Sequence, residues 1–192
     1  SRPEAGNRKT PGKVISYDLE NGNIIWEYSG LTDNAIPCPI VENGVAYCMT
    51  GYLGFSLVAV PISGKGEQSQ NILWRRELGT PYVPSPILYD GLLYFTQSNQ
   101  AILSCVDAKT GKVLMERTRL PALSNVYASL VGAGNHLYVV GRYGKTAVIK
   151  RTGKFDLVAT NTLDDRFDAS PAVRGDQLFL RGHRFLYCIE RE

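Results

Sequence analysis

The feature that most constrains this chain is a short unit that returns. Ser16-Tyr17-Asp18-Leu19-Glu20-Asn21-Gly22-Asn23-Ile24-Ile25-Trp26 sets an Asp two residues after a small residue, a Gly four after that, and a large apolar residue four later. The same spacing recurs as Cys105, Asp107, Thr110-Gly111 and Met115, and in degraded form as Ala147, Ile149, Thr152-Gly153 and Leu157. Each copy reads as strand, tight turn, strand. Asp18 and Asp107 can accept backbone N–H groups one or two residues on, and Gly22, Gly111 and Gly153 suit positions that need positive φ. Such a unit cannot bury itself alone, so its recurrence points to a stacked repeat architecture.

In chain order, residues 1–12 are rich in Pro, Gly, Asn and charge and read as a loop or linker. Strands follow in segments 13–28, 36–77, 82–118, 125–161 and 168–190. Asn43-Gly44 and Asp90-Gly91 mark two-residue hairpins between apolar runs. A Gly/Ser/Gln-rich insertion spans Ile62–Gln70. Tyr47, Tyr94, Tyr138 and Phe179 occupy one site in the second strands, and Cys38, Ser85, Ser129 and Ser170 one site in the first. The spacing suits a four-stranded antiparallel unit of about 40–45 residues. Leu92-Leu93-Tyr94-Phe95 and Leu137-Tyr138-Val139-Val140 are apolar on consecutive positions, so both faces of those sheets are covered. Radially stacked blades satisfy this where a two-sheet sandwich does not. The expected fold is an all-β propeller of four-stranded blades, about four of them present.

The unit Ala/Ser/Cys-x-Asp-x-x-Thr/Asn-Gly-x-x-x-Trp resembles the tryptophan-docking motif of the pyrroloquinoline-quinone (PQQ) type propeller repeat, over residues 13–192. That family includes quinoprotein alcohol dehydrogenases and the non-catalytic periplasmic lipoprotein of the outer-membrane β-barrel assembly machinery. The resemblance implies that Trp26 and Trp74 stack on the neighbouring blade. It also implies an exported, bacterial, periplasmic protein, and a propeller of seven or eight blades closed by an outer strand from the N-terminal region. On that reading this chain is an open arc, the C-terminal part of a longer protein whose remaining blades lie elsewhere, and Phe185–Ile189 does not pair with Ile24–Tyr28.

The quinoprotein members carry adjacent cysteines and a Ca²⁺ held by acidic and amide side chains. No Cys-Cys dipeptide occurs here, and no residue is assigned to catalysis, to a metal or to a cofactor. The hairpin register sends Cys38 and Cys48 to opposite faces, while Cys105 and Cys188 sit two blades apart. No disulfide is therefore expected, and all four are expected as buried thiols. A net charge of +3 without a basic block gives no support for a nucleic-acid partner, and no apolar run reaches the ~20 residues of a membrane span.

Propeller topology brings the loops after second and fourth strands to one face. There the candidate binding residues are Asn34, Tyr52, Tyr82, Asn99, Asn125, Arg142, Tyr143, Arg166, Asp168, Arg181, His183 and Arg184. Aromatic, amide and Arg side chains suit a protein partner or a small polar ligand. The expected function is a binding scaffold without chemistry of its own. The alternatives are a fragment of a PQQ- and Ca²⁺-dependent alcohol or sugar dehydrogenase, and the sensor region of a larger membrane protein.

Overall fold

A computed structural model describes residues 12–190. The leading loop expected over 1–12 falls outside that range except for Gly12, which already belongs to the first strand. No helix occurs among the described residues, and five small sheets follow one another along the chain. The first holds β1 (Gly12–Tyr17) and β2 (Ile24–Leu31). The second holds β3 (Ile40–Glu42), β4 (Val45–Thr50), β5 (Ser56–Pro61) and, beyond the two-residue β6 (Gly66–Glu67), β7 (Trp74–Arg76). The third is β8 (Ile87–Tyr89), β9 (Leu92–Thr96), β10 (Ile102–Asp107) and β11 (Val113–Arg119). The fourth is β12 (Val131–Ala133), β13 (His136–Val140), β14 (Lys145–Lys150) and β15 (Leu157–Thr162). The fifth has three strands, β16 (Ala172–Arg174), β17 (Gln177–Arg181) and β18 (Leu186–Glu190). Among the described strands every neighbouring pair runs antiparallel, as in propeller blades, except β2 with β6. β18 and β2 belong to different sheets and form no ladder.

Local chemistry accounts for the turns. Asn43 (φ 50°) and Gly44 (φ 77°), like Asp90 (φ 49°) and Gly91 (φ 74°), both take the left-handed region that a type I′ hairpin requires. The Asp18 carboxylate accepts the N–H of Glu20 at 2.8 Å, and that of Asp107 accepts the N–H and hydroxyl of Thr110 at 2.8 and 2.6 Å. These two turns also share a backbone closure, Asp18 N to Asn23 O and Asp107 N to Lys112 O.

The degraded third copy departs from the expected register. Tyr47 pairs with Ala59, Tyr94 with Cys105, and Tyr138 with Val148 rather than Ala147. Val148 in turn faces Ala159, which therefore takes the place held by Trp74 opposite Ala59 and by Met115 opposite Cys105. The turn is one residue longer, closing from Lys150 N to Asp156 O. Gly153 keeps a positive φ of 73°, but its N–H serves the neighbouring blade, donating to the Tyr94 hydroxyl at 2.9 Å. Leu157 instead packs with the cluster between the third and fourth sheets.

First strands are shorter than their sequence runs. Pro37, Pro39, Pro84, Pro86 and Pro171 have no N–H for a ladder, so these segments are held by side chains. Ser85 Oγ accepts the N–H of Cys38 at 3.0 Å, Ser129 Oγ that of Ser85 at 2.9 Å, and Ser170 Oγ that of Ser129 at 3.0 Å. The repeated small residue is thus a blade-to-blade ladder.

Between blades lie the apolar layers. Trp26, 3% exposed, packs with Ala46, Cys48, Val58 and Val60 of the second sheet, and its indole N–H donates to Ile62 O at 3.0 Å. Trp74, 8% exposed, joins Leu93, Phe95, Val106 and Ala108 of the third sheet and donates to Ala108 O at 3.0 Å. Gly111 lies under this ring: a Cβ there would stand 2.6 Å from Trp74 Cδ2. Each indole is thus buried among side chains of the neighbouring sheet, which adds apolar area to the contact between blades too thin to hold a core of their own.

Two further findings were outside the expected pattern. The insertion folds back so that β6 pairs in parallel with β2, Trp26 beside Gly66 and Glu27 beside Glu67. Buried Gln68 and the Ser69 hydroxyl, which donates to Ser29 O at 3.1 Å, fasten this strap. The cysteines are all free, as expected, but only Cys48 and Cys105 are buried. Cys38 lies on the Pro-flanked segment and Cys188 on a face of the fifth sheet that no described blade covers, and both are exposed.

Candidate functional site

Loops following the second and fourth strands are knit together at one end of the sheets. Asp33 bridges to Leu53, Pro81 to Ser98, and Gln100 to Asn125. The series continues with Arg142 N to Asn125 O, Phe167 N to Arg142 O and His183 N to Arg166 O, all at 2.8–3.0 Å. Each blade-to-blade connection therefore rests on the β-hairpin loop of the next blade. This backbone belt sets where the candidate side chains stand.

The twelve candidates divide into three groups. Asn99 and Asn125 serve the belt itself: Asn99 Oδ1 accepts Val83 N at 3.2 Å, its carbonyl accepts Val126 N, and the Asn125 carbonyl accepts Arg142 N. Exposed Tyr52 stacks on Tyr82 with ring centroids 4.6 Å apart, leaving an aromatic surface beside Leu53, while Asn34 stands exposed at φ 60° on the preceding connection. The remaining seven converge between the fourth and fifth sheets.

In that cluster Asp168 is the hub. Its Oδ1 lies 3.0 Å from Arg142 Nε, an ion contact rather than an aligned hydrogen bond, and its Oδ2 meets Arg142 Nη2 at 3.3 Å and His183 Nε2 at 3.1 Å. Arg142 also lies over the Tyr127 ring and Arg166 over the Tyr143 ring, at 4.5 and 5.4 Å from the centroids. Arg184 pairs with exposed Asp164 at 2.9 Å. Arg181, at the end of β17, faces a hollow of about 390 Å³ shared with Asp168 and His183, and a second hollow of about 420 Å³ lies among Tyr143, Asp164, Arg166, His183 and Arg184.

Asp165 holds this corner together. Its side chain is 2% exposed and accepts the backbone N–H groups of Arg166, Arg184 and Phe185 and the Tyr187 hydroxyl. Burial alone would push its carboxyl up, but those four donors outweigh it and bring the pKa down to about 2. Asp165, Asp164 and Tyr127 were not singled out from sequence, because an Asp in a polar loop carries no local signal of being buried.

The arrangement offers guanidinium and imidazole donors at a mouth flanked by aromatic faces. Such a surface takes up carboxylates, backbone carbonyls and other acceptors of a partner. Among the described residues, no three His, Cys, Asp or Glu side chains are grouped so as to hold a metal ion.

Residues 6–117 match the family described as outer membrane protein assembly factor BamB. Among solved structures, BamB from Moraxella catarrhalis superposes with a TM-score of 0.71 at 16% identity, over 95% of this chain and 53% of that one. The computationally designed protein Ika8 gives 0.71 at 12% identity over 95% and 54%, and the designed Ika4 gives 0.66 at 12% over 88% and 98%. These likenesses concern the fold. A curated relative, the tetrathionate hydrolase of Acidianus ambivalens, is 23% identical over 54% of this chain. The chain spans 22% of that relative's length and about half of the BamB chain.

Proposed function

Because the chain belongs to the family of the outer membrane protein assembly factor BamB, we propose that it is a scaffold whose loop face binds a protein partner, in an exported or outer-membrane-associated setting. The observation that carries this reading is the Arg142–Asp168–His183 corner with its aromatic neighbours. It is a rigid, donor-rich surface built on backbone-stitched loops, with Asp165 fixing the loops from beneath. The stacked Tyr52–Tyr82 pair supplies a second, apolar anchor on the same end of the blades. Aromatic and Arg side chains together are the usual anchors of protein interfaces. The blade-joining indoles are read as the family's docking device, which gives the loop face its stiffness.

The test is site-specific photo-crosslinking in cells that make the full-length protein. A photoreactive residue at Tyr143 should give a discrete adduct with a partner protein, and one at fully exposed Leu19, on the turn of the opposite end, should give none. Equal labelling from both positions, or from neither, would remove the loop face as the docking surface. Appearance of dye-linked dehydrogenase activity on adding PQQ and Ca²⁺ would favour the enzymatic alternative instead.

A further inference from the structure

Three blade junctions share one construction, and the fourth lacks it. The outermost strand of each of these blades carries a pair of alternate residues, Trp26 and Tyr28, then Trp74 and Arg76, then Met115 and Arg117, and the first of each pair packs against the next blade. The first of each pair is buried, at 3, 8 and 6% exposure. At the fourth junction the equivalent residues of β15 are Ala159 and Asn161. The space a large side chain occupies elsewhere is a cleft here, of about 750 Å³, between the fourth and fifth sheets.

Its walls are apolar on both sides: Tyr138, Val148 and Ala159 from the fourth sheet, Leu178, Leu180 and Ile189 from the fifth. The consequence is visible in the tyrosine row. Tyr47 and Tyr94 are buried beneath a Trp and a Met, whereas Tyr138, beside Ala159, is half-exposed. Asn161 and Thr146 line one stretch of the cleft, and Asp176 and Glu190 another, so its apolar floor is rimmed by hydrogen-bonding groups. A volume in the range of small-molecule pockets, apolar walls and a few polar groups are the usual marks of a ligand site.

We propose that this cleft binds a small planar aromatic molecule of indole size, lying over Ala159 in the position that an indole takes at the first two junctions. An open space of about 750 Å³ leaves room for such a ring over Ala159. The wall residues are the kind that contact the rings of Trp26 and Trp74, namely Val58 and Val60 at one junction and Leu93 and Val106 at the other. This site is separate from the loop-face corner, and the two can be lost independently.

Indole itself is the probe. Titrated into the whole chain, it should bind saturably and shift the methyl resonances of Val148, Leu178 and Ile189. Ala159→Trp supplies the missing ring from within. It should weaken indole binding at least tenfold and raise the unfolding midpoint. Should Ala159→Trp not fold, Ala159→Leu, which fills the slot partly, should weaken binding by a smaller factor. Absence of saturable binding to the unaltered chain, or binding that both variants leave unchanged, overturns the proposal. Shifts confined to methyls outside the cleft overturn it as well.

Discussion

Replacing Gly111 with Ala separates the two demands made on that glycine. The first is conformational: at φ 67° a Cβ costs about 1–2 kcal/mol relative to glycine. The second is spatial, because the new methyl would stand 2.6 Å from Trp74 Cδ2 and 2.7 Å from Cε3, and the ring must retreat by roughly 1 Å to regain an ordinary contact. That retreat strains the 3.0 Å bond from the indole to Ala108 O, worth about 1 kcal/mol, and displaces a buried plate. Overpacking of this kind adds about 1–3 kcal/mol. Gly22 is the internal control: its φ is 74°, but nothing lies within 4 Å of a Cβ there. Gly22→Ala should therefore cost about 1–2 kcal/mol and Gly111→Ala about 3–5 kcal/mol in denaturant melts. In a Trp74→Ala background, itself destabilised by about 3–5 kcal/mol, Gly111→Ala should fall back to the Gly22 value, a coupling of about 2–3 kcal/mol. Equal costs at Gly22 and Gly111, or a Gly111 cost indifferent to Trp74, would refute the account of the junction.

Three other outcomes follow from single contacts. A thiol reagent should modify Cys38 and Cys188 in the native protein and reach Cys48 and Cys105 only on unfolding, since burial holds both of those thiols up at about 12. Ser129→Ala should cost about 1 kcal/mol and accelerate hydrogen exchange at the amide of Ser85, which loses its acceptor, while the amide of Leu93 stays protected. For Asp165 the folded pKa lies below the unfolded one, so its contribution is complete above about pH 4 and is lost as pH falls through about 2. Asp165→Asn should lower the thermal midpoint at neutral pH, and the gap to the unaltered protein should close on acidification across that window; a gap constant with pH would refute it.

What was legible in the chain was what is decided locally. Asn43-Gly44 and Asp90-Gly91 announce their hairpins because few other residue pairs tolerate two positive φ values. The tyrosine and serine rows were readable because a strand residue's face is set by counting. The third copy was misread for the same reason: its turn gained one residue, and Thr152-Gly153 kept the look of the motif while the strand behind it had moved by one place. Counting from Tyr138 across its hairpin, rather than from Gly153, leads to Val148. The β6 strap has no local signature at all, since two residues in parallel pairing carry no periodicity. At the loop face, topology alone gathers Arg142, Asp168 and His183, but it cannot tell an exposed amide from one like Asn99 that is consumed in holding the loops. Burial of all four thiols was expected from strand register and blade position, and the exposed pair reflects which neighbours each strand has, a property of the assembly rather than of the residue.

The serine ladder and the indoles act at different radii of the same junction. Near the inner edge, every contact from Cys38 through Ser170 has the same length to within a tenth of an ångström, so it behaves as a set of identical hinge pins. At the rim the inserted side chain changes from Trp to Met to Ala, like shims of decreasing thickness. The angle between successive blades is then written by one residue per junction, and a closed ring is possible only when those angles sum to a full turn. Exchanging a rim residue is therefore a change of curvature as well as of stability, and substitutions at Trp26, Trp74, Met115 and Ala159 form a graded series in which blade pitch could be tuned without touching a single strand pairing.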